Sequence, residues 1–249
     1  MTYCLSINLN KGLVFCSDSR TNAGTDNIGC YSKMHSFVWE VDRVLILLSA
    51  GNLATTQAVV KKMNSDTRQE LVPNLLTVPN MLEASDYVGM VSTSIQRSQA
   101  VRDTAHTSFD ASFILGGQIG NAPPETLFIY PQGNYIHESD EHPFLQIGEI
   151  KYGKPILDRV IKRDISLERA ARVALVSMNS TIRSNVTVGP PIELLIYQKD
   201  TLTQPMKMVM SEDDPFSREI SDAWSRGLLQ ALEMLPRFWW EEPNSHPDR

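Results

Sequence analysis

Thr2-Tyr-Cys-Leu-Ser-Ile-Asn-Leu9, then Asn10-Lys-Gly12, then Leu13-Val-Phe-Cys16 and Ser17-Asp18-Ser19-Arg20 form the stretch that decides the fold. The first eight residues alternate as a strand does, Asn10-Lys-Gly12 has the composition of a turn, and the run from Leu13 reads as the returning strand. At about 3.4 Å per residue, seven or eight residues out and a similar number back bring the Asp18 carboxylate within side-chain reach of the chain start. The hairpin therefore predicts Asp18 beside Thr2.

Thr2 matters because removal of Met1 leaves a hydroxyl and a free α-amine on one residue. A threonine hydroxyl is a poor nucleophile at neutral pH, whereas an adjacent α-amine, titrating at about 7.7 to 8.0, can take its proton. No separate histidine is required. A Met-Thr start alone says little, Asp18 and Arg20 alone read as a surface pair after a strand, and Lys33 alone reads as a solvated loop cation. Their conjunction points to chemistry, with Lys33 completing an ionic cluster around Thr2.

Together, Thr2, Asp18-x-Arg20 and Lys33 resemble the active-site pattern of the proteasome β-subunit and its bacterial relatives, the N-terminal-nucleophile threonine hydrolases. Arg43-Val-Leu-Ile-Leu-Leu-Ser49 with Ala50-Gly51-Asn52 looks like that family's second hairpin strand and its glycine turn into the first long helix. Ala111-Ser-Phe-Ile-Leu-Gly-Gly117, Glu125-Thr-Leu-Phe-Ile-Tyr130 and Phe144-Leu-Gln-Ile-Gly148 sit where the family places the strands of its second sheet. Within the superfamily, Gly148-Glu-Ile-Lys-Tyr-Gly-Lys-Pro-Ile-Leu-Asp158 and Arg183-Ser-Asn-Val-Thr-Val-Gly189 are similar to the bacterial proteasome-like type called Anbu, the ancestral β-subunit. The resemblance runs from residue 2 to about residue 200, and the chain continues well beyond the compact core of a simple β-subunit.

The resemblance implies an α+β fold, a four-layer αββα sandwich, and peptide-bond hydrolysis through an acyl-enzyme on Thr2. Asp18 and Lys33 would be catalytic with it, the Gly51 N–H would bind the oxyanion, and Arg20, Ser184 and Thr187 would support the site. Thr21, Tyr31, His35, Ser49 and Leu53 would line the first substrate pocket. The family's ring assemblies imply a homo-oligomer acting on peptide or unfolded protein. Two positions depart from the family pattern. Ser184-Asn-Val-Thr187 stands where an Asp-x-x-Ser element is usual, and Glu149 replaces the serine of a Gly-Ser-Gly turn. Two other readings share the fold: an N-terminal-nucleophile amidohydrolase acting on small amides or isopeptides, and a noncatalytic assembly protein.

Composition narrows the partners. The 249 residues and 28.0 kDa suffice for a large core, read as one hydrolase domain over 1–210 with a helical extension over 211–249. Hydrophobic residues at 42% and charged residues at 21% are ordinary for a globular protein. The net charge of -6, with no basic cluster, argues against nucleic acid as a partner. The chain shows neither a signal-peptide leader nor an apolar run approaching 18 residues, so the expectation is a cytoplasmic protein with no membrane partner. Cys4, Cys16 and Cys30 are odd in number and read as reduced, mostly buried thiols, although Cys4 and Cys16 could face each other across the first hairpin. The five histidines lack zinc spacing, so neither a metal nor another cofactor is expected. No P-loop motif occurs, so ATP-driven unfolding would fall to a partner unfoldase.

Periodicity predicts a helix from Asn52 to Met63 with Leu53, Ala54, Ala58, Val59 and Met63 on one face, and a second from about Met81 to Thr104. Pro73 and Pro79 mark the loop between them. A second pair covers Gly153–Ile161 and Ser166–Val176, with Ser166 at an N-cap position, before the strand Ile192–Tyr197. The expected order is sheet, helices, sheet, helices, strand. Asp213-Asp-Pro215 opens a last helix reaching Leu235, and Phe238, Trp239 and Trp240 follow as either an interaction site or a cluster packed on its own subunit.

Overall fold

The opening hairpin forms as its alternation requires. A computed structural model, describing residues 1–22, 28–101 and 107–241, pairs β1 (Tyr3–Leu9) with β2 (Gly12–Asp18) antiparallel, Cys4 opposite Ser17 and Leu9 opposite Gly12. The other described elements, in chain order, are β3 (Arg20–Asn22), β4 (Ile28–Cys30), β5 (Met34–Trp39), β6 (Arg43–Gly51), α1 (Leu53–Arg68), α2 (Met81–Ala100), β7 (Ala111–Ile119), β8 (Glu125–Ile129) and β9 (Tyr135–His137). They continue with β10 (Phe144–Gly148), α3 (Lys154–Val160), α4 (Leu167–Ser184), β11 (Ile192–Gln198), β12 (Met206–Met210) and α5 (Pro215–Glu233).

Two five-stranded antiparallel sheets result, one ordered β10-β1-β2-β11-β12 and the other β5-β6-β7-β8-β9. Alternation along β2 sorts its side chains between two cores. Val14 and Cys16 join Tyr3, Leu5 and Ile7 against Leu157 of α3 and Ala170, Ala174 and Met178 of α4. Leu13 and Phe15 point the other way, onto Val44, Ile46 and Leu48 of β6 and Ile114 of β7. The far face of the second sheet, including Leu45, Leu47, Phe113 and Leu127, packs on Val59 and Met63 of α1 and Ala84 and Val88 of α2. The layers are thus helices, sheet, sheet, helices: the αββα sandwich, in which no layer could bury its apolar face alone.

Three expectations need correction. Phe144–Gly148 does not belong to the second sheet: β10 pairs with β1, Tyr3 opposite Gly148 and Ile7 opposite Phe144. The sheets are also interleaved in sequence, since the hairpins β1-β2 and β5-β6 precede α1 but enter different sheets. Phe144-Leu-Gln-Ile-Gly148 carries no sign of which edge it will join, and β1 has a free edge next to the chain start. Finally, α1 buries Thr55, Thr56, Val59, Met63 and Asp66, while Ala54 is exposed. Polar residues on that face find partners, Thr55 Oγ1 donating to the Phe109 carbonyl and Tyr87 OH donating to Asp66 Oδ2 at 2.8 Å.

Capping residues set the helix starts. Asn52, Asn80, Ser166 and Asp214 each accept a backbone N–H three residues on, interactions of about 1 kcal/mol apiece. α2 ends at Ala100, and part of the expected continuation to Thr104 lies outside the described residues. Cys4 and Cys16 do not face each other: Cys16 stands opposite Leu5, and the two thiols occupy different cores. Both are buried and free, whereas Cys30 is exposed.

Candidate active site

The site gathers where the first sheet meets the ends of β2 and β6. Thr2 directly precedes β1, and its carbonyl accepts the Glu149 N–H at 2.7 Å, so the chain start is clamped to the residue that follows β10. Gly148, at φ +85, allows that approach, because a Cβ there would run into the Thr2 carbonyl oxygen. Asp18 ends β2 and is fully buried. Its Oδ1 accepts from the Tyr3 N–H at 3.0 Å and from Lys33 Nζ at 2.7 Å, and its Oδ2 accepts from the Gly189 N–H at 3.2 Å. Lys33 Nζ also donates to the Arg20 carbonyl at 2.7 Å.

Burial pushes the Asp18 carboxyl upward, and Lys33, with the two backbone N–H donors, pulls it back. The chain-start amine, here that of Met1, is held below its ordinary value of 8.0, first by partial burial and then by Lys33, with Asp18 and Glu149 opposing. An amine moved in that direction spends more of its time unprotonated near neutral pH.

A cleft of about 400 Å³ opens beside Thr2. Met1, Thr2, Thr21, Lys33, His35, Ser49, Gly51 and Leu53 line it, as do Ser32, Thr56 and Gln57. Of the five expected pocket residues, Thr21, His35, Ser49 and Leu53 are in place, but Tyr31 is not among the lining residues and Ser32 holds its position. Along an extended segment successive side chains alternate, so an offset of one residue exchanges the inside for the outside. Behind the cleft, Ser32 Oγ donates to the buried Glu193 at 2.6 Å, and Lys207 neutralises that acid at 2.9 Å. Burial holds the His35 imidazole below its ordinary value, with Glu193 opposing and Lys207 assisting. The Thr21 hydroxyl oxygen is buried and has no hydrogen-bond partner among the described residues.

Gly51 closes β6 at φ +112, a conformation that side chains resist, and lines the cleft with Thr2. The supporting residues divide. Arg20 Nη1 donates to the Val186 carbonyl at 2.9 Å, and the Ser19 and Arg20 N–H groups both donate to the Gly189 carbonyl, so Arg20 fastens the 185–189 loop to the hairpin rather than touching Thr2. Thr187 donates its N–H and hydroxyl to Asn185 Oδ1 and does not line the cleft. Ser184 is the exposed last residue of α4, and it too lies off the cleft. Asn185, between them, reaches inward and donates through Nδ2 to Glu149 Oε2 at 3.0 Å. Glu149 is itself buried.

Gly189 and Asn185 were not recognisable as site residues, because their roles depend on a loop some 170 positions from Asp18 folding back over it. A glycine before two prolines was the one local sign of a fixed turn. Among the described residues, no group of three His, Cys, Asp or Glu could hold a metal, and no helix is long and apolar enough to cross a membrane.

No family profile and no curated protein matches the chain. Solved structures do. Anbu (ancestral beta-subunit) from Yersinia bercovieri is 40% identical with a TM-score of 0.90, over 95% of this chain and 99% of that one. A Gly-1 mutant of Anbu from Hyphomicrobium sp. strain MC1 is 44% identical with a TM-score of 0.89, over 96% and 99%. Anbu from Pseudomonas aeruginosa, solved as a helical assembly, is 44% identical with a TM-score of 0.91, over 95% and 98%. Near-complete coverage in both directions, together with the αββα layers and the cleft at the chain start, establishes that the chain belongs to the Anbu family of proteasome-like β-subunits.

Proposed function

We propose that the chain is a threonine peptidase whose nucleophile is Thr2 after loss of Met1. The observation that carries this reading is the buried Lys33–Asp18 pair at 2.7 Å, set beside a cleft that Thr2, Lys33 and Gly51 line together. Thr2 Oγ attacks the substrate carbonyl carbon, the Thr2 amine takes its proton directly or through a water, and the Gly51 N–H receives the oxyanion. Lys33 supplies positive potential that favours proton loss from Oγ, and Asp18 holds Lys33 in place. An ester forms on Thr2, and water then releases it.

Peptide or unfolded protein is the proposed substrate, and the cytoplasm, where peptidases of this kind meet unfolded chains, is the proposed compartment. By analogy with the helical assembly of the Pseudomonas aeruginosa relative, the chain self-associates. Its contacts involve α5 and the aromatic end, where Leu228, Leu229, Leu232, Leu235, Phe238 and Trp240 are all more than half exposed.

Intact mass of the purified native protein, followed by a peptide epoxyketone that consumes both a threonine hydroxyl and its amine, tests the reading. A mass starting at Thr2 and a stoichiometric adduct are expected. A mass retaining Met1 throughout would leave the amine in a peptide bond and favour the noncatalytic assembly protein. Parallel assays on small amides would separate the amidohydrolase reading.

A further inference from the structure

One buried acid at the chain start has no part in the chemistry described so far. Glu149 follows β10, is 8% exposed, and is locked to the nucleophile's own residue because its N–H donates to the Thr2 carbonyl at 2.7 Å. Its carboxylate is aimed by a short chain of contacts from the other side of the site. Asn185 caps α4, is held through Oδ1 by the Thr187 N–H at 3.0 Å and hydroxyl at 2.5 Å, and donates Nδ2 to Glu149 Oε2 at 3.0 Å. The other oxygen, Oε1, has Lys151 Nζ at 3.8 Å, beyond hydrogen-bond reach and on a side chain 66% exposed.

A carboxylate removed from water and given one amide donor keeps unused acceptor capacity. Burying it that way is costly unless another positive partner comes near. The chain-start amine is the group available. Lys33, Asp18 and Glu149 are the charges that act on the Met1 amine, one residue before Thr2, and Asp18 already spends both oxygens on Lys33, Tyr3 and Gly189.

We propose that Glu149 is the carboxylate that steadies the protonated Thr2 amine during the reaction, a positioning residue that acts through that amine. The proposal rests on the peptidase reading. As the Thr2 Oγ–carbon bond forms, the carbonyl π pair moves to oxygen and the Oγ proton passes to the amine, which becomes an ammonium. Glu149 balances that new charge, as a carboxylate behind a catalytic imidazole does, until the ammonium returns the proton to the leaving nitrogen and the carbon–nitrogen bond breaks. Without it, only Asp18, already paired with Lys33, offsets the positive potential at the ammonium, and the transfer becomes less favourable.

The test uses the Met1-free protein with ¹³C-labelled threonine, following the Thr2 carbon shifts against pH in the parent, Glu149→Gln and Glu149→Asp. Removing one nearby negative charge lowers the amine's midpoint by roughly one pH unit in Glu149→Gln, and Glu149→Asp restores most of it. Epoxyketone trapping on the pH plateau falls roughly tenfold in Glu149→Gln, since a weaker base drives the transfer less. A midpoint that stays put, or rises, in Glu149→Gln overturns the proposal. Absence of trapping in the parent overturns the peptidase reading instead, and the titration still decides whether Glu149 governs the amine.

Discussion

The Gly189 N–H donates to Asp18 Oδ2 at 3.2 Å, tying the loop after α4 to the hairpin that opens the chain. With the Tyr3 N–H and Lys33 on the other oxygen, Asp18 has a partner on every side, and the pair it makes with Lys33 is among the most buried ionic contacts described. Removing one member leaves the other charged and dry. Lys33→Ala and Asp18→Ala should each abolish turnover and lower stability by about 3–5 kcal/mol, with the same fold by circular dichroism. Denaturant titration checks the second part, and the double variant Asp18→Asn/Lys33→Met should recover stability without recovering turnover.

The pH profile follows from the direction of the amine's shift. The base works unprotonated, so the rate rises with pH through the amine's midpoint; burial and Lys33 lower the Met1 amine, and the expected outcome is that the Thr2 amine, one residue on, shifts the same way. The ascending limb of kcat/KM should therefore be complete at mildly alkaline pH and half-developed nearer neutrality. Lys33→Arg keeps the charge and should retain a low midpoint. A limb centred above 8.0 in the parent would contradict the electrostatics described for the cleft.

Gly51→Ala tests the turn that lines the cleft. At φ +112 any side chain is strained, and a Cβ there would strike the Asp110 carbonyl oxygen. The expected outcome is a loss of 1–3 kcal/mol or more, about the cost of such a backbone conformation, together with a fall in kcat larger than any change in KM. Thermal unfolding and steady-state kinetics on the one variant give both numbers.

Burial pushes the Cys4 and Cys16 thiols well up, while Cys30 is exposed. A maleimide should label Cys30 alone in the native protein and all three thiols in denaturant, as mass spectrometry would show.

Deleting residues 236–249 removes Phe238 and Trp240, whose rings stack with centroids 4.5 Å apart. Sedimentation velocity should show a smaller particle. An unchanged sedimentation coefficient would put the contacts elsewhere.

Much of this was written in local sequence. The Thr2–Leu9 alternation, the Asn10-Lys-Gly12 turn and the returning run from Leu13 mark the hairpin, and hence Asp18 beside the chain start, and Asn52, Ser166 and Asp214 mark helix starts by chemistry that acts over three residues. What local patterns miss is which partner a strand chooses and which loop folds over a buried charge. Phe144–Gly148, apolar but for Gln146, is silent about its sheet, and the α1 face defies a hydropathy count because Thr55 and Asp66 are buried with partners from other segments. Glu149 was visible as an unusual residue, but its burial and its hold on Thr2 come from pairings that span the whole core.

The position of β10 also bears on the order of events during synthesis. Tyr3 pairs with Gly148, so the edge of β1 nearest the nucleophile has no partner until that residue has left the ribosome. Translation at about 5–20 residues per second gives roughly 7 to 30 seconds between the two. Through that interval the β1 edge stays without its β10 partner, and the Glu149 clamp on Thr2 closes only afterwards. The clamp at Thr2 thus forms late, through a long-range pairing of the kind that slows folding.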